Sequence, residues 1–324
     1  MIELQADTPT GIAGYLRERQ FLRTGETLMS VTKAGEGNMN VTLLVTTSER
    51  QFVLKQSRPY VAKYPSIPAP IARIDVEYQY LSAAAEDPEL AGHHPAVLDY
   101  DAANYTLLLE YLEGAEDMIY VYEEGRSISR TQLRSLLNYL SVLHRVNVKD
   151  FPANEELKAL NAAHIFELPF NPDNGFPLDD FLPGLANVAA VYQYDKKLRA
   201  KALELGAQYR AAGRQLIHGD FYPGSFMRRK GEVFVIDGEF AHRGAPEFDL
   251  GVLMAHLLLS EAEPELLTEI DRSYRKPPGF NAKLAREFCY VEVIRRIIGI
   301  AQLPLSLTLG QRKSLLEQAR IGLQ

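Results

Sequence analysis

His218-Gly219-Asp220-Phe221-Tyr222-Pro223-Gly224-Ser225, then Val233-Phe234-Val235-Ile236-Asp237-Gly238-Glu239-Phe240, then Phe248-Asp249-Leu250-Gly251: this stretch decides the reading of the 324-residue chain. An apolar, β-branched run ends in two carboxylates. If the backbone stays extended there, residues two apart point to one side, so Asp237 and Glu239 converge. Mg²⁺ takes a few carboxylates together with water and phosphate oxygens, so such a pair suits a nucleotide-bound metal. A lone His-Gly-Asp is usually a turn, and a lone Asp-x-Glu is usually a solvated strand end. The two motifs flanking a strand, with a third aspartate at Asp249, seldom coincide by chance.

Asp220 lies on the loop ahead of that strand. Its spacing to Ser225 is that of a phosphoryl-transfer loop, where an aspartate accepts the substrate hydroxyl proton and an oxygen ligand five residues on holds metal. Serine is shorter than the usual asparagine, so it reaches metal directly or through water. Working toward the amino terminus, Gly35-Glu36-Gly37-Asn38-Met39-Asn40 precedes an apolar run at residues 41–45. Gly35 and Gly37 let backbone approach phosphate, and Asn38 and Asn40 belong to the same candidate loop. Lys55 ends the next apolar run and can pair with nucleotide phosphates. Val53 shares its side at period two and can pack on an adenine face. Glu77, in the following helix, can hold Lys55 by an ion pair. Backbone groups at Glu110 and Leu112, ending the last strand of this region, are expected to hydrogen-bond adenine.

The surrounding pattern is α+β. Thr8-Pro9 reads as a helix start. Residues 41–45 and 51–55 read as a hairpin, residues 96–99 and 105–111 as a second strand pair. Residues 57–70 hold four prolines and read as loop; residues 72–85 read as helix. After the acidic connector 113–117, residues 131–146 have strong amphipathic periodicity. Residues 169–183 read as irregular, and residues 195–212, 250–259 and 282–303 as helices. The expected organisation is a small β-rich nucleotide-binding lobe at residues 1–112 and a larger, mostly helical, catalytic and substrate-binding lobe at residues 113–324. A small-molecule site is expected in the cleft between such lobes. Thirty-five basic against 42 acidic side chains leave a net charge of −7, which argues against nucleic acid or an anionic membrane as partner. One cysteine, Cys289, precludes an intrachain disulfide or a zinc site of several thiolates. Residues 1–10 lack the basic and apolar regions of a signal peptide, and no apolar run has spanning length, so a cytoplasmic location is expected. His144, on an apolar stripe, reads as a core histidine, and Cys289 as buried and inert.

Taken together, these motifs resemble the aminoglycoside phosphotransferase and choline kinase superfamily, which has a protein-kinase-like two-lobed fold, over nearly the whole chain. Within it the chain looks most like methylthioribose kinases. Their His-Gly-Asp-x-x-x-Gly-Ser is matched by His218, Gly219, Asp220, Gly224 and Ser225. Their Asp-x-Glu-Phe-Ala is matched by Asp237, Glu239, Phe240 and Ala241, and their Phe-Asp-x-Gly by Phe248, Asp249 and Gly251. Their glycine loop looks like Gly37-Asn38-Met39-Asn40, and their Lys-Gln with Pro-Tyr-Val like Lys55, Gln56, Pro59, Tyr60 and Val61. The resemblance implies ATP and Mg²⁺ as cofactors, with transfer of the γ-phosphoryl group to a hydroxyl of a sugar-like substrate. Asp220 would be catalytic, Ser225, Asp237 and Glu239 would arrange metal, and Arg295-Arg296 would contact the sugar. Asp249 would fix the catalytic loop through backbone hydrogen bonds. Phe221-Tyr222-Pro223 and His242-Arg243 depart from the family's residues, and both lie on the substrate side. Related kinases form homodimers, although no residue here marks a dimer surface. Two other readings stay open. One is a kinase for another alcohol, of aminoglycoside, choline or homoserine type. The other is a catalytically silent nucleotide-binding pseudokinase, against which Lys55, Asp220, Asp237 and Glu239 speak.

Overall fold

The computed structural model describes residues 2–35 and 39–324, so Gly37 and Asn38 of the glycine loop lie outside the described residues. The chain divides into two compact units, Met1–Gly114 with Asp237–Phe240, and Ala115–Ile236 with Ala241–Gln324. The turn bearing Asp237 and Glu239 thus groups with the amino-terminal residues.

In the first unit, helix α1 (Pro9–Glu18) starts with proline in its first turn, where a missing N–H costs nothing. Strands β1 (Leu28–Lys33), β2 (Val41–Thr47) and β3 (Gln51–Gln56) are followed by a short hairpin of β4 (Tyr60–Val61) and β5 (Tyr64–Pro68). After helix α2 (Arg73–Glu86) come β6 (Val97–Asp101) and β7 (Thr106–Glu110). The antiparallel sheet has the order β1-β2-β3-β7-β6. Strand alternation sorts its faces. Phe52 and Leu54 enter an apolar core with Val45, Leu108 and the α1 residues Ile12, Tyr15 and Leu16. Val53 and Lys55 therefore face the other way, toward α2. The hairpin differs from the expected loop at 57–70. Prolines cannot donate to a ladder, but a two-stranded ribbon has open edges that tolerate them.

The second unit begins with β8 (Glu116–Asp117) and helix α3 (Arg130–Leu143). Helices α4 (Glu155–Ala162), α5 (Leu178–Phe181), α6 (Leu185–Gln193) and α7 (Lys196–Arg210) follow; a single π turn, Ala163–Glu167, continues α4. Strands β9 (Gln215–Ile217), β10 (Phe226–Arg229), β11 (Glu232–Val235) and β12 (His242–Gly244) form small sheets, β11-β10-β8 and β12-β9. Helices α8 (Pro246–Leu259), α9 (Pro264–Ser273), α10 (Ala282–Ile298) and α11 (Leu309–Leu323) complete the chain. Phe166, Tyr209, Phe248 and Phe288 interlock in the core, with ring centroids 4.5–6.5 Å apart.

Three local expectations change. Helix α8 starts at Pro246 rather than residue 250, which puts Asp249 in its first turn. Helix α10 ends at Ile298, where the Gly299 N–H bonds to the Arg295 carbonyl at 2.9 Å. Irregular structure at 169–183 is interrupted by the single turn of α5. Among the described residues, no helix is long and apolar enough to cross a membrane.

Candidate active site

The chain does not stay extended after β11. Asp237 takes a left-handed φ of 61°, and Gly238–Phe240 form a 3-10 turn. The expectation that strand pleating aims Asp237 and Glu239 to one side is therefore replaced by a turn. Aspartate tolerates this backbone better than most residues because its short side chain bonds locally. The turn still gathers the charges. Lys55 Nζ donates to Glu77 Oε1 at 2.5 Å and to Asp237 Oδ1. Lys55 and Glu77 are buried, whereas the Asp237 side chain is 40% exposed. Burial alone would lower the Lys55 pKa, but Asp237, Glu77 and Glu239 outweigh it and raise it, so the ammonium persists. Burial raises Glu77 despite Lys55. Burial likewise pushes Glu239 up to about 8, against the pull of Arg73 and Lys55.

Glu239 Oε2 accepts from Asn40 Nδ2 at 2.9 Å and lies 3.4 Å from Arg73 Nε. Arg73, fully buried, spends its donors on Asn40 Oδ1 and on the carbonyls of Met39, Arg58, Tyr60 and Pro70, at 2.7–3.3 Å. It ties the exit of the glycine loop, the hairpin entry and the start of α2 into one knot. Asn40 is part of that knot. Gly35, with φ of 71°, has open space where a β-carbon would stand. Val53 is half-buried beside Leu44 and Leu109. Leu112 is buried. The Glu110 N–H is taken by the Ala96 carbonyl at 2.8 Å, and its carboxylate accepts from the Ala96 N–H.

In the second unit, Asp220 sits on a loop that Asp249 fixes. Asp249 accepts from the backbone N–H of His218 at 2.7 Å and of Gly219 at 2.9 Å. Burial would raise its pKa, but the hydrogen bond and electrostatic pairing with His144, and the backbone N–H and ring of neighbouring His218, hold it below the usual carboxylate range. His144 is buried between Asp249 (3.2 Å) and the Tyr274 hydroxyl (2.7 Å). His218 Nε2–H donates to the Ile236 carbonyl at 2.9 Å, and its Nδ1 accepts from the Asp220 N–H at 3.3 Å. Asn161, at the end of α4, donates to the Gly219 carbonyl at 3.3 Å. The loop is thus held from three sides, the preorganisation that a positioned base requires.

The Asp220 side chain, 21% exposed, has Oδ1 at 3.4 Å from Nη2 of both Arg295 and Arg296. Burial raises its pKa, and the two guanidinium groups oppose that rise. Ser225 is buried; its hydroxyl donates to the Asp220 carbonyl at 2.9 Å, which leaves oxygen lone pairs as acceptors. Where the sequence departs at Phe221-Tyr222, Phe221 is fully buried, stacked near Tyr139, and the Tyr222 ring lies 4.5 Å beneath the Arg296 guanidinium.

Among the described residues no cluster of three or more His, Cys, Asp or Glu side chains forms a closed metal cage. Mg²⁺ does not need one, because it keeps waters and takes phosphate oxygens beside one or two carboxylates. In the first unit the exposed Asp237 carboxylate fits that demand; in the second, the Ser225 oxygen keeps lone pairs able to accept metal. Glu239 fits less simply, since one of its oxygens is committed to Asn40 and Arg73.

Sequence reasoning did not single out Arg73, Asn161, Tyr122, His256 or Glu292. Only Glu292 carried a legible signal, three and four residues before the arginine pair on one helix.

Residues 30–287 match the APH phosphotransferase enzyme family. Methylthioribose kinase 2 of Oryza sativa subsp. japonica is 25% identical over 248 residues, covering 72% of this chain and 57% of that protein. Methylthioribose kinase of Bacillus cereus (strain G9842) is 28% identical over 244 residues, covering 71% and 61%. The chain thus spans less than two thirds of the length of these relatives. Choline kinase LicA from Streptococcus pneumoniae superposes with a TM-score of 0.53 at 15% identity, covering 98% of this chain and 99% of that one. Plasmodium vivax ethanolamine kinase gives 0.56 at 11%, covering 98% and 89%. These likenesses establish the α+β, protein-kinase-like fold expected from the sequence. The family match spans most of the chain and includes the Asp220 loop and the Asp237 turn, so the chain belongs to the APH phosphotransferase enzyme family.

Proposed function

We propose that this chain is a small-molecule kinase that uses ATP and Mg²⁺ to phosphorylate a hydroxyl of a sugar-like acceptor, of the methylthioribose kinase kind. The observation that carries the reading is Asp220, a partly buried carboxylate on a loop braced by Asp249 and flanked at 3.4 Å by two guanidinium groups. Bound Mg²⁺-ATP supplies the phosphoryl group and the metal charge that neutralises it. Lys55, kept protonated by Glu77 and Asp237, holds phosphate oxygens. Asp237 and Ser225, with Glu239, would hold the metal. Asp220 orients the acceptor hydroxyl. As the bond from the γ-phosphorus to the ADP oxygen breaks and a new bond to the acceptor oxygen forms, the hydroxyl proton passes to Asp220 and later to solvent. A raised pKa suits that task, because a base works best when its pKa lies near the operating pH.

The arginine pair favours a neutral or anionic polyol. Both guanidinium groups offer N–H donors beside the base, which suit hydroxyl or anionic oxygens, whereas an ammonium has no lone pair to accept them. The relatives named methylthioribose kinases support the sugar; the choline and ethanolamine kinases share the fold alone. The deciding experiment is ATP consumption with Mg²⁺ across methylthioribose, related pentoses and amino alcohols. Asp220→Asn is expected to keep nucleotide binding and to lose roughly 10²–10⁴ in turnover. Near-normal turnover by that variant rejects the assigned role. Wild-type protein that binds nucleotide but phosphorylates no alcohol favours the pseudokinase reading.

A further inference from the structure

Arg295 and Arg296 are consecutive on α10, so their side chains leave the helix about 100° apart. Two adjacent arginines have no intrinsic reason to converge, and their charges repel. Yet both guanidinium groups reach the same Asp220 oxygen. One side chain accounts for this. Glu292, one turn back, accepts from Arg295 Nε at 2.7 Å through Oε2 and from Arg296 Nε at 2.7 Å through Oε1. Taking both Nε–H groups fixes the rotation of both planar forks and turns their Nη2 edges toward Asp220.

Glu292 is itself held. His256 Nε2–H, from α8, donates to Glu292 Oε1 at 3.2 Å. The Tyr122 hydroxyl donates to His256 Nδ1 at 2.6 Å. Burial lowers His256 to about 4, so the imidazole stays neutral and this donor–acceptor order is fixed. Tyr122, His256 and Glu292 are each no more than 2% exposed. A buried carboxylate is costly unless it is paired, and here its partners are the two groups that flank the candidate base.

We infer that Glu292, backed by His256 and Tyr122, is a positioning residue that aims the Arg295–Arg296 pair at Asp220 and so sets recognition of the acceptor. The inference rests on the functional reading above and adds to it a residue that touches neither nucleotide nor base. It predicts a split between the two substrates. In Glu292→Gln the amide offers one carbonyl to two Nε–H groups, and one fork is released.

The experiment is steady-state kinetics of wild type, Glu292→Gln and Tyr122→Phe with the acceptor that wild type turns over, alongside nucleotide binding and thermal melts. Expected for Glu292→Gln is an acceptor KM raised roughly 10–100-fold, with the ATP KM and the nucleotide Kd near wild type. An acceptor KM unchanged in the folded variant overturns the inference, as does a parallel loss in both substrates, which marks a merely structural role. Should Glu292→Gln not fold, Tyr122→Phe decides. It removes one neutral hydrogen bond, so a selective rise of roughly two- to tenfold in acceptor KM supports the inference and no rise overturns it. Should wild type phosphorylate no alcohol, the functional reading falls separately. A crystal structure of either variant that folds then decides the positioning claim. Guanidinium groups released from Asp220 support it; both forks still 3.4 Å from Asp220 overturn it.

Discussion

At the scale of single residues, the cluster around Lys55 shows why its carboxylates have unlike tasks. Asp237 is half in solvent and paired with Lys55; Glu239 is buried and raised to about 8. At pH 7 the Glu239 carboxyl is therefore mostly protonated before ligand arrives. A cation needs it ionised, so Mg²⁺-nucleotide binding at pH 7 is expected to release a proton. Calorimetry in buffers of different ionisation enthalpy measures that release, which should vanish in Glu239→Gln and fade above about pH 9. Gly238 has its own constraint. A β-carbon there would overlap the Tyr80 ring, which is fully buried and cannot yield. Gly238→Ala is expected to cost roughly 1–3 kcal/mol, read from denaturant midpoints. Lys55 and Asp237 stood out in the sequence because a charge at the end of an apolar run is a local signal, and Glu77 and Asp220 because their residue types and spacing follow the phosphoryl-transfer pattern. Arg73 did not, because its acceptors are mostly backbone carbonyls from distant segments, and no residue type records them. The left-handed turn at Asp237 was equally hidden, since the residues ahead of it read as plain strand.

At the scale of elements, helices announce themselves where their ends are chemically marked. Helix α3 begins with Ser129, whose hydroxyl accepts from the Gln132 N–H while the Gln132 side chain accepts from the Ser129 N–H. Ser129→Ala should cost about 1 kcal/mol and lower the melting temperature by a few degrees, without changing the kinetics. Thr308 and Gln311 form the same reciprocal cap on α11. That helix was legible in principle from the Thr-x-x-Gln spacing, yet its apolar stripe is too weak to draw the eye. Helix α9 was missed although it was legible: like α1 it is ten residues long with proline in its first turn, and its buried Leu266 and Ile270 alternate with charged residues at helical spacing. The packing of α8 on α10 was not readable at all. A β-carbon on Gly251 would stand 2.6 Å from the Ala285 carbonyl oxygen, so the glycine of the Phe-Asp-x-Gly motif serves close helix approach rather than a flexible turn.

At the scale of the whole molecule, buried ionisable groups set the response to acid. His256, lowered to about 4 chiefly by burial, takes up its proton in the unfolded chain before it does in the folded one. Its contribution to stability is complete above about pH 6.5 and is lost as pH falls toward about 4. Burial would raise Glu26, but hydrogen bonds from Thr47, the Arg23 N–H and Arg50 hold it at about 2, which adds a second loss from about pH 4.5 downward. Glu239, raised to about 8, acts in the opposite sense between about pH 8 and 4.5, so the His256 share is read as a difference: melting temperatures of His256→Gln should fall less than those of wild type between about pH 6.5 and 4. The division of the chain was only partly legible: composition marks a change near residue 112, but nothing local says that four residues from beyond position 236 belong with the first 114. That interleaving governs how the protein can be recombined. A chimaera that grafts a relative's amino-terminal half at a single junction near residue 114 imports a foreign counterpart of Arg73 and Tyr80 while keeping the native Gly238 and Glu239. Shuffling within this family therefore has to swap residues 237–240 as a second cassette, or accept misfolded hybrids.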